Sequence, residues 1–473
     1  MNLVPRDYQE AIRNFIIEHR RCNVFAGMGT GKTSATLLAL DILFLFGEAK
    51  RVLVIAPKRV AVSTWPDEVR KWSNLRHLTI AAAVGTAAER LAVLRGPAQI
   101  VCINYENIEW IIDALGDDWN FDVVIADEST RLKGLRVGMR TSSTGKQFLA
   151  GQGTVRARKL AKVAHTKVKR WVNLTGSPAP NGLQDLWGQC WFIDGGQRLG
   201  RSFSAFSDRW FRTVPNADGY TKIEPMPFAQ PQVEAAIKDV CITIEAADYL
   251  DLPPLVESEV YVDLPPAARA AYLKMEKEFF TEFAGHEFEA LNSGAKMQKC
   301  LQFASGAAYT DDERNWTLLH DEKIDALRSI VEEANGMPVL VAYQFVSDRQ
   351  RILKAFPRAR YLDANPQTLV DWNAGRIPVI VAHPKSGGHG LNMQHGSNIL
   401  ADFSLGFNLE EDEQIVERIG PTRQAQSGLN RSVYRRRIIA RDTIEQTAVL
   451  PALRRKARLQ DALLAAMKLR QSA

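Results

Sequence analysis

A glycine-rich string near the amino terminus has the composition of a phosphate-binding loop. It follows an apolar run at 22–26 and precedes a helical pattern, and its members are Gly27, Met28, Gly29, Thr30, Gly31, Lys32 and Thr33. Glycines let successive backbone N–H groups point at phosphate oxygens, and the helix that follows adds a partial positive charge. We expect Lys32 to reach the β- and γ-phosphates and Thr33 to be a Mg²⁺ ligand. The predicted ligands are therefore ATP and Mg²⁺.

A pair of acidic residues, Asp127 and Glu128, ends an apolar stretch at 121–126. An ATP-hydrolysing site needs one carboxylate to hold Mg²⁺ and another to orient the attacking water. An acidic pair after a strand is also typical of a helix cap, but its combination with the phosphate loop favours catalysis. We expect Asp127 to hold the metal through water and Glu128 to act as general base.

Two segments carry an excess of positive charge. Positions 131–170 hold twelve Lys or Arg and no Asp or Glu, and positions 431–470 hold eleven basic residues and three acids. A polyanion such as nucleic acid is the natural partner of such segments, and solvated basic faces are the alternative. We interpret 131–170 as a mobile basic loop that orders on DNA. Trp187, Trp210 and Phe211 are expected in the core rather than against bases.

The elements that must position these residues form two α/β series. Continuous apolar runs are typical of strands that are buried on both faces of a parallel sheet. The first series has such runs at 22–26, 52–56, 99–104, 121–126 and 171–174, and the second has them at 338–343, 358–362, 378–383, 399–403 and 433–439. Helical patterns at 267–283 and 444–469 lie between the two series and at the end. We expect an α/β fold with two doubly wound parallel-sheet domains, 1–195 and 321–473, and a linker with a helical insertion at 196–320.

Composition limits the function classes. No apolar run reaches the roughly 18 to 20 residues that a membrane helix needs, and the first residues lack the apolar core of a signal peptide. The five cysteines form no CxxC pair and are expected to be free, mostly buried thiols of a reducing compartment. We expect a cytoplasmic protein with no membrane partner. His383, His389 and His395 recur every six residues, but ordinary loop histidines are favoured over a metal site.

The order of these motifs resembles that of superfamily 2 helicases, and within them of the Swi/Snf-type double-stranded DNA translocases, especially the compact versions carried by bacteriophages. The similarity runs from Arg6 to about Leu450 and implies two RecA-like domains. Gln9 looks like the glutamine that reads the adenine edge in this family. Ala26 occupies the position of the usual first glycine of the phosphate loop, and this form of the motif is common in helicases.

The same resemblance implies contacts with the nucleic-acid backbone at several motifs. Asp127-Glu128 opens a string similar to the family's DEAH-x-[IL]-K box, with Ser129-Thr130 in place of Ala-His. Positions 174–181 resemble motif III, which links the ATP site to the nucleic-acid track. The residues that we assign to the nucleic acid are Pro57, Lys58, Asn104, Arg131, Lys133, Arg136, Thr175, Ser177, Ser386, Gly387 and Gly388.

Positions 414–424 resemble motif VI, which carries the arginine finger. Arg418 fits one arginine position; the second would fall at Pro421, and Arg423 lies two residues further on. Either Arg418 or Arg423 is the expected finger. In the family, ATP lies between the two domains, and closure lets the arginine stabilise the γ-phosphate charge. Closure would thereby couple hydrolysis to movement along the phosphodiester backbone.

The sequence thus predicts an ATP-dependent DNA helicase or duplex-DNA translocase, which hydrolyses ATP on single-stranded, duplex or forked DNA. An RNA helicase stays open, and so does a DNA-binding module with an inactive ATPase. A nuclease fusion is disfavoured because the sequence shows no convincing metal-carboxylate nuclease cluster. We expect a monomer, located in the host cytoplasm if a phage encodes it.

Overall fold

The computed structural model describes residues 2–27, 29–141, 147–215, 221–283, 290–310, 315–385 and 391–471. These residues form two compact units. The first unit contains residues 2–249 and 457–471, and the second contains residues 250–385 and 391–456. The chain therefore leaves the first unit after Tyr249 and returns to it at Ala457.

The first unit is built on one parallel sheet. The strands of this unit, inside and outside that sheet, are β1 (Arg21–Ala26), β2 (Val52–Ala56), β3 (Ile80–Ala82), β4 (Ile100–Asn104), β5 (Val123–Asp127), β6 (Leu135–Thr141), β7 (Gln147–Gly153), β8 (Arg170–Thr175), β9 (Phe211–Pro215), β10 (Thr221–Pro225) and β11 (Cys241–Ile244). Its helices are α1 (Asp7–Glu18), α2 (Lys32–Leu45), α3 (Trp65–Lys71), α4 (Ala87–Arg95), α5 (Ile108–Leu115), α6 (Val155–Ala164), α7 (Gln184–Asp194), α8 (Phe203–Trp210) and α9 (Ala229–Ile237). The sheet has the strand order β11-β1-β8-β5-β2-β4-β3, and all its pairs are parallel.

Both faces of this sheet are covered. Leu53 and Ile55 of β2 pack into one hydrophobic cluster, whereas Val52 and Val54 pack into another. Successive side chains of a strand point to opposite faces, so a strand that is buried on both sides must be apolar throughout. This confirms the prediction of a doubly wound α/β domain from continuous apolar runs.

The second unit repeats the same architecture. Its strands are β12 (Leu255–Val262), β13 (Ala307–Tyr309), β14 (Trp316–Leu318), β15 (Val339–Ala342), β16 (Arg360–Tyr361), β17 (Val379–Ala382), β18 (Ile399–Asp402) and β19 (Val433–Ala440). Its helices are α10 (Pro266–Phe283), α11 (Ala290–Ser305), α12 (Glu322–Glu333), α13 (Val346–Ala355), α14 (Pro366–Asn373), α15 (Leu409–Glu417), α16 (Pro421–Gln426) and the start of α17 (Leu450–Gln471). Its parallel sheet has the order β12-β19-β18-β15-β17-β16. The molecule therefore has two RecA-like doubly wound sheets, as expected.

Buried charges brace the second sheet. The ammonium group of Lys323 is fully buried and donates to both carboxylate oxygens of Glu445 at 2.7 Å and to the carbonyl oxygens of Phe403 and Ile438 at 3.0 Å. Four acceptors for one buried ammonium compensate its loss of water. The pair joins the start of α12 to the π-helical turn Glu445–Val449, which follows β19.

The segment 196–320 is divided between the two units instead of forming a separate linker. Residues 196–249 belong to the first unit, where Cys241 of β11 pairs with Asn23 of β1. Residues 250–320 belong to the second, where Leu255 of β12 pairs with Val433 of β19. Each sheet takes an edge strand from this segment, which is why the units divide at residues 249 and 250. The predicted helix at 267–283 is present as α10.

The interpretation of 131–170 as a mobile loop was wrong for the residues that the structure describes. β6 and β7 form an antiparallel hairpin, and α6 and the start of β8 follow. Leu135, Val137 and Leu160 pack into the core of the first unit, so the segment is anchored by its apolar residues. Residues 142–146, in the Ser/Thr-rich part, lie outside the described residues. The apolar alternation at positions 135 and 137 is short, and the many charged residues around it made it difficult to recognise in the sequence.

Other expectations agree with the structure. Trp187, Trp210 and Phe211 are buried in the core. The cysteines are free and buried, and burial raises the pKa of the Cys22 thiol to about 12. Within the described ranges, no helix combines the length and the apolar character that crossing a membrane requires.

Candidate functional site

Three strands of the first sheet end at one edge. β8 lies between β1 and β5, with Phe25 opposite Thr175 and Asp127 opposite Leu174. Because these strands are parallel, their carboxyl ends share this edge, which is where open α/β sheets bind ligands. The phosphate loop, the acidic pair and the motif III string are therefore brought together although they lie far apart in the sequence.

The phosphate loop takes the conformation that its glycines allow. Gly29 and Gly31 have left-handed φ angles of 79° and 76°, and Gly31 is the residue that precedes α2. A Cβ atom on Gly31 would lie 2.1 Å from Nε2 of Gln9. The chain therefore needs glycine here for its backbone angles and for the close approach of Gln9. Met28, which we assigned to nucleotide binding, lies outside the described residues.

Lys32 folds back over this loop. Its Nζ atom donates to the carbonyl oxygens of Ala26 at 2.6 Å and Gly27 at 3.1 Å, and the residue is only 9% exposed. The ammonium group is thus held at the loop, where a bound phosphate would need a positive charge. Thr33 follows it in the first turn of α2 and is half-buried.

Gln9 is tied to the same loop from α1. Its Oε1 atom accepts a hydrogen bond of 3.0 Å from the backbone N–H of Arg6, and its Nε2 atom donates to the carbonyl oxygen of Thr30 at 3.3 Å. The side chain is therefore placed beside the predicted nucleotide site. Its role in reading adenine stays a prediction.

The acidic pair is held by two aromatic side chains. The indole N–H of Trp65 donates to Oδ2 of Asp127 at 2.9 Å, and the hydroxyl of Tyr105 donates to the carbonyl oxygens of Asp127 at 2.9 Å and Glu128 at 3.2 Å. Glu128 has a left-handed φ of 59°, which is unusual for a residue with a side chain. These contacts hold the pair in a defined orientation, as a catalytic site requires.

Burial governs the charge of Glu128. Desolvation raises the pKa of its carboxyl group, while the nearby charges of Lys32 and Arg131 act in the opposite direction. A general base works best when its pKa is close to the working pH, and burial is the usual means of raising a glutamate toward it.

The oxygen groups at this edge fit Mg²⁺ by their chemistry. Mg²⁺ prefers hard oxygen ligands and is usually held by one or two carboxylates together with substrate phosphates and water. Asp127 supplies an oriented carboxylate, and Thr33 supplies a hydroxyl at the first turn of α2. These two residues would hold the ion, and the phosphates would complete its ligand set.

A buried glutamine joins the acidic box to motif III. The hydroxyl of Ser129 donates to Oε1 of Gln189 at 2.8 Å, and Nε2 of Gln189 donates to the carbonyl oxygen of Pro178 at 2.7 Å. Gln189 has no exposed surface. This residue was not predicted from the sequence, although an amide within the otherwise apolar part of α7 was an available signal. Oγ1 of Thr130, at the family's histidine position, is buried without a hydrogen-bond partner among the described residues.

The residues that we assigned to nucleic acid differ in accessibility. Lys58 is exposed, and Arg131 and Lys133 are partly exposed beside Glu106 and Asp185 respectively. Four others are buried near this edge, namely Pro57, Asn104, Thr175 and Ser177. The hydroxyl of Thr175 accepts from the N–H of Ser177 at 3.1 Å.

Arg136 has a structural environment. It donates to the carbonyl oxygens of Lys133 and Leu135, and its guanidinium group lies 3.7 Å from the ring centre of Phe203. Ser386, Gly387 and Gly388 lie outside the described residues. Of the cations in this set, Lys58 is exposed and Arg131, Lys133 and Arg136 are partly exposed, and their contacts with nucleic acid remain predictions.

The two candidate arginine fingers lie in the second unit. Arg418 donates from Nη2 to the carbonyl oxygen of Pro384 at 3.1 Å, and Arg423 hydrogen-bonds Oδ1 of Asn392 through Nη1. Nε of Arg423 is buried without a hydrogen-bond partner within the described part, and burial lowers the pKa of this guanidinium group. Both remain candidates.

Comparisons with known proteins show which family the chain resembles. Protein p41 of Acyrthosiphon pisum secondary endosymbiont phage 1 is 51% identical to the chain over 467 residues, which is 98% of either protein. Two structures of the Sulfolobus solfataricus SWI2/SNF2 ATPase core are also similar to the chain. The complex with dsDNA is 20% identical, with a TM-score of 0.44, and the match covers 98% of this chain and 94% of that one. The core domain is 19% identical, with a TM-score of 0.41, and the match covers 98% of this chain and 90% of that one. The family model described as SNF2-related domain matches residues 8–308, which is more than half of the chain. The chain therefore belongs to the SNF2-related family.

Proposed function

We propose that this chain is a DNA-stimulated ATPase motor, which couples ATP hydrolysis to movement along DNA as a helicase or a duplex translocase. Family membership implies an ATP-hydrolysing enzyme. The observation that carries the proposal is the meeting of Lys32 on the phosphate loop with the braced pair Asp127-Glu128 at one sheet edge. A phosphate-binding loop, a metal-holding carboxylate and a buried base are the parts that phosphoryl transfer to water requires.

Each of these side chains has a separate task in the proposal. The backbone N–H groups of the glycine loop and Lys32 bind the phosphate oxygens. Asp127 and Thr33 would hold Mg²⁺, which would supply positive charge to the phosphates. Glu128 takes the proton of the attacking water, because its buried carboxyl group has a raised pKa.

The link to DNA is proposed to run through two hydrogen-bonded paths. Exposed Lys58 stands near the start of a π-helical turn, Val60–Thr64, that leads into Trp65 and hence to Asp127. The second path leads from Ser129 through Gln189 to Pro178 of motif III. A shift of the backbone near Lys58 or near Pro178 would change how the acidic pair is held. DNA binding would in this way alter the hydrolysis rate, and the contacts with phosphates would be largely independent of sequence.

An arginine finger is also part of the proposed mechanism, because it would stabilise the γ-phosphate charge during hydrolysis. Arg418 and Arg423 are the candidates, and separate alanine variants distinguish them. The finger is the residue whose removal lowers kcat on DNA by about a thousandfold or more, while ATP binding changes little. The other arginine is expected to affect stability more than turnover. Equal and small losses in both variants would contradict the assignment.

The test is ATP hydrolysis with Mg²⁺ in the absence of nucleic acid and in the presence of single-stranded DNA, duplex DNA, forked DNA or RNA. Lys32→Ala and Glu128→Gln are expected to abolish turnover, since one removes phosphate binding and the other removes the base. Lys50→Ala is the control, because Lys50 is exposed on the same unit and has no place in the site. Strand displacement on a forked substrate separates a helicase from a translocase.

Stimulation by DNA that both site variants lose would support the motor. Stimulation by RNA alone would move the assignment to an RNA helicase. Intact DNA binding without turnover under any of these conditions would contradict the motor and favour a DNA-binding module with an inactive ATPase.

A further inference from the structure

A second basic cleft lies on the first unit and uses none of the residues of the nucleotide site. We call it the α6 cleft, and its volume is about 440 Å³. Its walls come from the β6–β7 hairpin, one face of α6, the end of α7 and the segment before α8. The lining residues that matter below are Val137, Val155, Arg158, Lys162, Trp191 and Arg201.

The face of α6 that lines the cleft follows helical spacing. Val155, Arg158 and Lys162 stand three and four positions apart, so they lie on one side of the helix. Arg158 and Lys162 are consequently about 6 Å apart along the helix axis. The opposite face, with Ala157 and Leu160, packs into the core. The cleft thus has a fixed helical wall with two successive cations.

Several cations of the basic segment 131–170 are already neutralised by carboxylates. Lys133 pairs with Asp185 and Arg170 with Glu48. Lys159, also on the cleft wall, pairs with Asp113, and Lys167 pairs with Asp117.

The other cations that line the cleft differ from these. Within the described ranges, no carboxylate lies at ion-pair distance from Arg158, Lys162 or Arg201. Nε of Arg158 is in addition buried without a hydrogen-bond partner among the described residues. An unmet buried donor is costly, and an anionic ligand in the cleft would offer the Nε–H group of Arg158 an acceptor.

An aromatic residue completes the cleft. Trp191 lies at the end of α7 and is half-buried, and its ring makes edge contacts with the rings of His165 and Phe192. Val137 and Val155 add apolar surface. The cleft therefore combines successive cations with an aromatic platform. This is the combination by which proteins bind single-stranded nucleic acid, where phosphates meet cations and bases stack on rings.

We propose that the α6 cleft binds a short segment of single-stranded nucleic acid. Arg158, Lys162 and Arg201 contact successive phosphates, and one base lies against Trp191. An acidic peptide would satisfy the cations but would leave the aromatic platform without a planar partner. The biological role of the cleft rests on the proposed motor, for which it is a second grip on a separated strand.

The test measures binding of a labelled oligothymidylate of about eight nucleotides to the nucleotide-free full chain, by fluorescence anisotropy. The cleft variant is Arg158→Gln/Lys162→Gln. Its matched control is Lys50→Gln/Lys169→Gln, which removes two exposed charges of the same unit outside the cleft. Trp191→Leu removes the platform without a change of charge, and Trp191→Phe keeps a ring.

The cleft variant is expected to weaken binding by tenfold or more and to lower the slope of log affinity against log salt by about 1.4, since two phosphate contacts are lost. The control pair is expected to change affinity by less than threefold or so. Trp191→Leu should weaken binding by about tenfold, and Trp191→Phe should retain most of the affinity.

The proposal is overturned if the cleft variant binds no worse than the control pair. It is also overturned if the cleft variant loses as much affinity for a blunt duplex of the same length as it does for the single strand. Such a result would indicate a nonspecific electrostatic effect of the two removed charges. Competition by thymidine monophosphate at the same concentration as the oligomer would assign the cleft to a free nucleotide instead. Binding is measured without ATP turnover, so a failure of the proposed motor appears only in the ATPase assay.

Discussion

The indole N–H of Trp65 donates a hydrogen bond of 2.9 Å to Oδ2 of Asp127, and both side chains are buried. Trp65 is the first residue of α3 and follows the π-helical turn Val60–Thr64. Such turns are frequent at functional sites. The contact fixes one oxygen of the carboxylate that we propose as the Mg²⁺ ligand. It joins that carboxylate to a segment that begins at the exposed Lys58.

Loss of this hydrogen bond should weaken Mg²⁺ binding. Trp65→Phe keeps an aromatic ring in the core but removes the donor, so Asp127 is no longer oriented. Loss of a contact that orients a metal ligand typically lowers metal affinity by about ten- to a hundredfold. We expect the Mg²⁺ concentration for half-maximal ATPase activity to rise by about this factor, while the thermal midpoint changes little.

Trp72→Phe is the matched control for this prediction. The indole N–H of Trp72 donates to the carboxylate of Glu68 at 2.6 Å, close to α3 but away from the acidic pair. Its Mg²⁺ dependence should equal that of the wild type. Equal Mg²⁺ dependence in Trp65→Phe and the wild type would show that the hydrogen bond is only structural.

The raised pKa of Glu128 predicts the acid limb of the pH profile. A general base must be ionised, so kcat/KM for ATP falls when the pH drops through the pKa of this carboxyl group in the free enzyme. Burial is the largest cause of the shift, so the limb should lie above the ordinary glutamate value of about 4.3. Below that pKa, the rate should fall by about tenfold per pH unit.

The measurement is kcat/KM for ATP between pH 5 and pH 8 or so, with DNA binding followed over the same range. If DNA binding is constant over this range, a fall in kcat/KM is due to titration of the base and not to loss of DNA binding. A flat profile down to about pH 5 would show that no group with a raised pKa limits hydrolysis.

Gly31→Ala should lower ATP affinity through Gln9. The new Cβ atom would lie 2.1 Å from Nε2 of Gln9, which must move away from the carbonyl oxygen of Thr30. The left-handed φ of Gly31 adds a strain of about 1 kcal/mol. We therefore expect Gly31→Ala to raise KM for ATP severalfold. Gln9→Ala/Gly31→Ala should show no larger increase than Gly31→Ala alone, because the two changes disturb the same contact.

Gly47→Ala is the control for backbone strain. Gly47 has a similar φ of 70°, and no atom lies within 4 Å of the position of a Cβ atom. It should show the same small loss of stability and an unchanged KM. An increase in KM in this variant would contradict the role of Gln9 in the effect.

Removal of one partner of the buried pair Lys323–Glu445 should destabilise the second unit strongly. Lys323→Met leaves the carboxylate of Glu445 buried with no cation, which costs about 3 to 5 kcal/mol. Lys323→Met/Glu445→Leu removes both charges and should recover much of this loss. The measurement is the urea midpoint of unfolding.

Arg328→Met is the matched control on α12. Arg328 pairs with Asp325 at 2.7 Å, but both side chains are exposed, so the expected loss is about 0.5 kcal/mol or less. A loss of similar size in Lys323→Met would show that water reaches the buried pair.

The sequence by itself predicted the chemistry that we propose for the nucleotide site, and it determined the central strands. The phosphate loop is a contiguous string, and Asp127-Glu128 stands at the end of a strand, so neighbouring residues carry both signals. The central strands β2, β5 and β15 were predictable because burial on both faces demands an uninterrupted apolar run. The replacement of the family's Ala-His by Ser129-Thr130 was also visible in the sequence. The buried environment of Thr130 was not.

Only the tertiary structure decided how these parts are held. Trp65 and Asp127 are 62 positions apart, and Ser129 and Gln189 are 60 apart, so no local pattern announces either contact. The edge strands β11 and β12 lie in a segment without a βα rhythm and are defined by the partners that they pair with. The basic segment 131–170 became a hairpin and a helix because a few apolar side chains found the core. A short strand or a single polar contact depends on distant neighbours, whereas an apolar run that crosses the core shows itself in the sequence.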